Sequence, residues 1–235
     1  NISDLDLRLF REFYARRSDE ELKEENTELK TILNNLKVMK DDELTLAGVL
    51  LFGKFPSQIL HFAIVKAVFF QGNDPADNNY LDSRDIKGNI VELFKEGRSF
   101  LLSSIRHEQK GRNFNTVGIP EIPKVAIEEA LINALLHRNY FLASNIRLFV
   151  FDNRIEIISP GNLPNTATVE GIKLGLHIER NPILMSLIRD MEGIPYRGTG
   201  TGIRRIMKEC KEEGVEVDFI DEKEINQFKV IFYRN

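Results

Sequence analysis

Glu129, Asn133 and His137 form a row of chemically capable side chains along one predicted helix. They lie in the segment EALINALLHRN at positions i, i+4 and i+8, which places them on the same helix face. A glutamate one turn before an asparagine has a specific use. The carboxylate can orient or deprotonate a water, and the amide oxygen can ligate a Mg²⁺ that bridges phosphates. A solvated helix face is the simpler interpretation, so the row alone leaves both open.

Two glycine-containing segments downstream could complete a site. Ser159-Pro160-Gly161-Asn162-Leu163-Pro164 follows a predicted strand, where a tight turn lets backbone approach a planar ligand closely. Arg197-Gly198-Thr199-Gly200-Thr201-Gly202 precedes a predicted helix. Its alternate glycines free backbone N–H groups to face an anion at the positive end of that helix. The simpler interpretations are a turn and a flexible loop before a helix.

Other patterns argue against competing chemistries. Gly48–Phe55 matches the first seven positions of a P-loop, but Phe55 stands where a Ser or Thr should hold Mg²⁺. Its large apolar centre predicts a buried helix instead. No histidine is paired at ligand spacing, so we expect no zinc site. The serines lack the context of a nucleophile elbow, which argues against serine hydrolysis.

Hydrophobic periodicity predicts the elements that position these residues. The first predicted helix is capped by Ser3 and continues through Phe13. The other predicted helices cover 29–36, 46–52, 90–101, 124–138, 182–191 and 202–211. Predicted strands cover 61–71, 146–151, 154–158, 215–220 and 227–233. The order predicts an α+β layer. The polar segment Glu108–Pro123 is the predicted linker, with a boundary between 1–115 and 116–235.

Composition narrows the class of protein. The 235 residues include 32 Lys and Arg against 36 Asp and Glu, a net charge of -4, which argues against a generic nucleic-acid binder. The single cysteine, Cys210, excludes a disulfide framework. No apolar run is long enough for a membrane span, and no signal peptide opens the chain. We therefore expect a cytoplasmic protein without a membrane partner. Because the sequence begins at Asn1, we expect a fragment of a longer protein.

In combination, the motifs resemble the nucleotide-binding boxes of the GHKL ATPases, which include gyrase B, a heat-shock chaperone, histidine kinases and a mismatch-repair protein. The matching positions are Glu129-x-x-x-Asn133, Ser159-Pro160-Gly161-x-Leu163-Pro164 and Gly198-x-Gly200-x-Gly202. EALINALLHRNY, RIEIISPGNLP, RNPILMSLI and GTGTGIRRI are similar to a helicase C-terminal-like module of bacterial transcriptional regulators. Those regulators carry an AlbA-type, Schlafen-related domain upstream. LTLAGVLLFGKFP resembles the segment before that module, so the resemblance covers nearly the whole chain.

The resemblance implies a fold and a role for each matching position. Residues 1–115 would be mainly helical with a strand, and 116–235 would form a GHKL-like α/β sandwich, a mixed sheet with helices on one face. Glu129 would activate the attacking water, and Asn133 would hold Mg²⁺. The adenine pocket would include Ser159 and Gly161, with the segment 165–197 as a lid. The phosphates would be cradled by Gly198, Gly200 and Gly202.

One departure from the GHKL pattern leaves several functions open. GHKL enzymes place Asp where Ser159 stands, and a neutral hydroxyl accepts a weaker hydrogen bond from the adenine amino group. The leading hypothesis is a transcriptional-regulator fragment that binds Mg-ATP and is at most a weak ATPase. The alternatives are a degenerate, nucleotide-free dimerisation or interaction module, and a DNA-binding domain using Lys30, Lys37 and Lys40. The resemblance implies DNA contacts through parts of the full-length protein outside this sequence, and a homo-oligomer. It assigns no role to His137 or Arg138.

Overall fold

A computed structural model describes residues 1–19, 22, 26–77, 79–108, 118–196 and 198–234. The helices are α1 (Leu7–Ser18), α2 (Asn26–Asn35), α3 (Leu46–Phe52), α4 (Pro56–Ile59), α5 (Ile90–Ser104), α6 (Lys124–His137), α7 (Val169–Leu174), α8 (Pro182–Ile188) and α9 (Gly202–Glu213). The strands are β1 (Met39–Lys40), β2 (Glu43–Leu44), β3 (Val65–Phe70), β4 (Tyr80–Ile86), β5 (His107–Glu108), β6 (Ile119–Pro120), β7 (Ile146–Val150), β8 (Arg154–Pro160), β9 (Val217–Glu222) and β10 (Gln227–Tyr233).

Six of the described strands form one mixed sheet in the order β4-β3-β7-β8-β10-β9. Strands β3 and β7 run parallel, and their other neighbours are antiparallel. This sheet, with its packed helices, confirms the predicted α+β class. Strands β3 and β4 precede the predicted boundary at 115/116, so the sheet combines strands from both sides of it. The boundary itself lies outside the described residues, and the division into 1–115 and 116–235 stays a prediction.

Helix α6 lies in the middle of the molecule, where it contacts α5, α9 and β8. Most residues of α6 are buried, including Ile132 and Leu136, so α6 is enclosed by protein on most of its circumference. Glu129 is also buried. A solvated face, the simpler interpretation of the Glu129 row, is therefore wrong for this carboxylate.

Arg138, which follows α6, is 1% exposed and joins three parts of the fold. Its guanidinium donates to the carbonyl oxygens of Phe62 (3.0 Å), Leu142 (3.0 Å) and Ser144. It also lies over the rings of Phe62 and Tyr140, at 5.1 and 4.9 Å from the centroids. Because these groups precede β3 and β7, Arg138 ties the end of α6 to the parallel strand pair. The sequence indicated no role for Arg138, and its contacts are structural.

Three local predictions differ from the structure. Asp6, not Ser3, caps α1, because the Asp6 carboxylate accepts from the Leu9 N–H at 3.0 Å. Strand β4 was missed because most of its side chains are polar and exposed, so it lacks the alternating pattern of a half-buried strand. Helix α7 was missed because none of its six residues is buried.

Helix α3 agrees with the interpretation of Gly48–Phe55 as buried structure. The Thr45 hydroxyl accepts from the Gly48 N–H at 3.1 Å and caps the helix. All residues from Ala47 to Phe52 are buried. In the described part of the chain, no helix combines the length and apolar character needed to cross a membrane.

Candidate functional site

One cavity brings together residues from distant parts of the sequence. It lies between α6, the end of β8, the segment 161–178 and the start of α9. Apolar walls from Ile157, Leu163 and Val230 suit a planar ring. All seven predicted site residues line this cavity, namely Glu129, Asn133, Ser159, Gly161, Gly198, Gly200 and Gly202. Their roles in binding or catalysis stay predictions.

Glu129 forms an ion pair that the sequence analysis missed. The Arg205 guanidinium, one turn into α9, contacts the Glu129 carboxylate and also reaches the Thr201 hydroxyl at 3.4 Å. Burial raises the pKa of Glu129, and the charge of Arg205 opposes that increase. Helical spacing from Thr201 could have placed Arg205 at the cavity, but its pairing with a residue 76 positions away depends on tertiary structure.

Asn133 presents a buried amide group toward the glycine loop. Among the described residues, its Nδ2 has no hydrogen-bond partner. A Cβ on Gly202 would lie 2.9 Å from Asn133 Nδ2 and 2.8 Å from Glu129 Oε2. Only glycine therefore lets α9 begin against this row without displacing it. Because buried polar groups are rarely left unpaired, Asn133 stays a candidate ligand-binding residue.

Ser159 is oriented by the backbone of α6. Its hydroxyl donates to the Ala134 carbonyl oxygen at 3.0 Å, and the side chain is buried. The proton is committed to that bond, so the oxygen lone pairs remain for a donor in the cavity. Ser159 therefore has the polarity that an adenine amino group requires.

Gly161 shapes the cavity wall by its lack of a side chain. Its φ of 101° lies in the region that favours glycine, and a Cβ would stand 2.6 Å from Asn139 Cβ. Its own N–H donates to the Asn226 carbonyl oxygen at 2.8 Å. The contribution of Gly161 is thus close backbone packing rather than a donor for a ligand.

The glycine loop delivers the N-terminus of α9 to the cavity. Gly198 and Gly200 have φ of 68° and 66°, which favour glycine at both positions. In the described structure no side chain caps α9, because the Thr201 hydroxyl instead pairs with that of Thr199 at 2.8 Å. The first N–H groups of a helix have no intrahelical partner and carry its positive end. Arg197, the first residue of the predicted motif, lies outside the described residues.

Three further titratable side chains line the cavity, namely His137, His177 and Tyr196. His137 and His177 pack edge to face with ring centroids 5.6 Å apart, and burial lowers the pKa of His137 to about 4. His137 is therefore neutral at pH 7. Tyr196 has a buried hydroxyl with no partner in the described part of the chain, and burial raises its pKa to about 12. The sequence offered no signal for Tyr196 beyond its place before the glycine loop.

Residues 165–196, the described part of the predicted lid (165–197), cover one side of the cavity. They include α7 and α8, and Ala167, Ile172, Leu176 and His177 contribute to the lining. A Cβ on Gly200 would lie 3.1 Å from His177 Cβ, so this segment packs closely on the glycine loop. Movement of the segment stays a prediction.

The family comparison concerns the C-terminal part of the chain. Residues 143–232 match the family described as "Putative ATP-dependent DNA helicase recG C-terminal". This match confirms the predicted resemblance. The matched part of the helicase C-terminal-like module includes both glycine segments of the cavity. Glu129 and Asn133 precede the matched residues in the sequence, and the fold brings both to the same cavity.

A solved structure extends the likeness in fold to the whole chain. The crystal structure of the DIP2311 protein from Corynebacterium diphtheriae superposes with a TM-score of 0.74 at 19% identity. The superposition covers all of this chain and 46% of the DIP2311 chain, so this chain spans less than half of that protein's length. No curated protein matched the sequence.

We expect Gly161→Ala to lower the free energy of unfolding by about 2–3 kcal/mol, because it adds both backbone strain and a clash with Asn139. Urea unfolding measures this loss. Gly193→Ala is the matched control, since Gly193 also has positive φ (82°) but no described atom lies within 4 Å of its added Cβ. Equal losses in the two variants would contradict the close packing at Gly161.

Proposed function

We propose that this protein binds Mg-ATP in the cavity between α6 and the glycine loop and hydrolyses it slowly. The observation that carries the proposal is the convergence of all seven predicted residues on one cavity. Asn133 Nδ2, which has no hydrogen-bond partner among the described residues, supports it. The family match at residues 143–232 supports it independently.

The residues fit the chemistry of a bound nucleotide. Ser159 accepts a hydrogen bond from the adenine amino group, and the N–H groups at the start of α9 donate to the phosphates. Rotation of the Asn133 amide turns its oxygen toward the cavity, where it is a suitable ligand for Mg²⁺. Mg²⁺ held by Asn133 would neutralise charge on the phosphates. Glu129 accepts a proton from the attacking water.

This module is proposed to be the nucleotide-sensing or assembly half of a cytoplasmic, DNA-linked transcriptional regulator. The matched family's description names a DNA helicase, which supports a link to DNA. DNA contacts are assigned to other parts of the full-length protein, and assembly to a homo-oligomer. Direct DNA binding by the N-terminal helices is less favoured, since Lys30 is ion-paired with Asp42 at 2.7 Å.

Isothermal titration calorimetry with Mg²⁺ and a non-hydrolysable ATP analogue tests the binding proposal. We expect saturable binding by the wild-type protein and weaker binding by Asn133→Ala. Circular dichroism shows whether each protein is folded. Folded wild-type protein that binds no analogue at millimolar concentration would overturn the proposal.

A nucleotide-free interaction module is the second candidate function. Two observations favour it, namely Ser159 where GHKL enzymes have Asp, and the Glu129 carboxylate already occupied by Arg205. Under this alternative the cavity is a relic that stabilises the fold, and the protein acts by dimerisation or by binding another protein. A null result in the calorimetric titration would favour it.

Replacing Ser159 by the Asp of the GHKL pattern is expected to strengthen nucleotide binding and to lower the stability of the fold. We expect Ser159→Asp to tighten binding of the ATP analogue about tenfold, because a charged acceptor forms the stronger hydrogen bond. The same change removes the donor to the Ala134 carbonyl, so we expect the free energy of unfolding to fall by about 1–2 kcal/mol. Calorimetry and urea unfolding measure the two effects. Unchanged affinity would show that Ser159 does not face the base.

A further inference from the structure

The Arg205–Glu129 pair lies where a phosphate chain is expected. Arg205 contacts Glu129 through one terminal nitrogen and the Thr201 hydroxyl through the other. Thr201 is the N-cap residue of α9, and Gly202 is packed against the Glu129 carboxylate. The guanidinium therefore lies across the helix N-terminus, on the surface that the proposed function assigns to the phosphates.

The pair restrains Glu129 in this conformation. A general base needs its carboxylate within reach of water, whereas here one oxygen is held by Arg205. The Glu129 side chain is 9% exposed, and the Arg205 side chain is 33% exposed. The more exposed partner, Arg205, has access to an incoming ligand.

We propose that Arg205 exchanges the Glu129 carboxylate for the nucleotide's phosphate chain, so that phosphate binding releases the general base. This inference rests on the proposed function and adds a phosphate-responsive positioning residue to it. A guanidinium binds phosphate oxygens in a bidentate manner, and a phosphate chain carries more negative charge than one carboxylate. A nucleoside without phosphates leaves the Arg205–Glu129 ion pair intact.

The exchange predicts a specific coupling between the two residues. Glu129→Gln removes the competitor for Arg205 and should tighten binding of the ATP analogue about tenfold. In the Arg205→Gln background the same change should have no effect, because no guanidinium remains to be released. Arg205→Gln alone should weaken binding of the analogue. Adenosine, which lacks phosphates, should bind all of these variants equally.

Calorimetry on the four proteins of this double-mutant cycle, with the ATP analogue and with adenosine, is the test. Arg204→Gln is the matched control, since Arg204 is exposed on the same helix and does not line the cavity. We expect it to bind as the wild type does. Arg205→Lys keeps the charge and lacks the planar fork, so it should bind the ATP analogue at intermediate strength. It replaces Arg205→Gln in the cycle if that variant is unfolded.

Each result bears on the proposal. Tightening by Glu129→Gln only when Arg205 is present supports the exchange. Equal tightening in both backgrounds would mean simple repulsion between Glu129 and phosphate and would overturn the exchange while leaving nucleotide binding intact. Absence of analogue binding to wild-type protein and to every variant would overturn the proposed function and this inference together.

Discussion

Replacing Glu129 by glutamine is expected to lower the rate of ATP hydrolysis by about 10²–10⁴-fold while nucleotide binding persists. Glu129 is the one carboxylate among the residues that line the cavity in the described structure. Its amide replacement keeps the shape of the side chain and loses the ability to accept a proton. Phosphate release under saturating Mg-ATP measures the rate, and calorimetry measures binding.

The adjacent Glu128 provides the control for this experiment. Glu128 is ion-paired with Arg98 and does not line the cavity, so Glu128→Gln should hydrolyse ATP at the wild-type rate.

Burial raises the pKa of Glu129 above the ordinary value of 4.5, although Arg205 opposes this. The rate of ATP hydrolysis by the wild-type protein should therefore fall as the pH decreases, and the fall should occur above pH 4.5. Full activity in Glu129→Gln would show that another group activates the water.

Replacing Arg138 by alanine is expected to lower the free energy of unfolding by about 3–5 kcal/mol, the largest stability effect predicted for this protein. The substitution removes the hydrogen bonds from Arg138 to the carbonyl oxygens of Phe62, Leu142 and Ser144 and opens a cavity between two aromatic rings. Urea unfolding of wild type and variant measures the difference.

Two further variants separate the effects of charge and geometry at this position. Arg138→Lys keeps a cation but not the planar fork, so we expect it to recover less than half of the loss. Arg204→Ala removes an exposed arginine and should change stability by less than about 0.5 kcal/mol. If Arg138→Ala is as stable as Arg204→Ala, the connection between α6, β3 and β7 does not depend on Arg138.

Elements with strong local signals were predictable from the sequence. Helix α6, the β7–β8 hairpin and strand β10 have uninterrupted apolar patterns, and each lies close to its predicted bounds. Strand β4 and helix α7 bury little apolar surface, and their formation depends on neighbours. The parallel pairing of β3 with β7 joins residues about 80 positions apart, and no local pattern encodes such pairing.

The candidate site also combines features that local sequence patterns predict with contacts that depend on tertiary structure. The glycine spacings and the Glu129–Asn133 spacing are local, so the sequence alone predicts all seven residues that line the cavity. The Arg205 ion pair and the burial of the Tyr196 hydroxyl, which has no partner within the described ranges, arise from packing between segments. Asn133 and Arg138 are five positions apart in the sequence. Arg138 has structural contacts and Asn133 lines the cavity, a difference that only their three-dimensional surroundings reveal.

A crystal structure of the protein with Mg²⁺ and a non-hydrolysable ATP analogue is the most direct test of nucleotide binding at this cavity. We predict adenine beside Ser159, phosphates at the start of α9 near Gly200 and Gly202, and Mg²⁺ next to Asn133. We also predict that Arg205 contacts phosphate instead of Glu129. An analogue bound elsewhere, or a cavity that stays empty in crystals saturated with the analogue, would contradict the account.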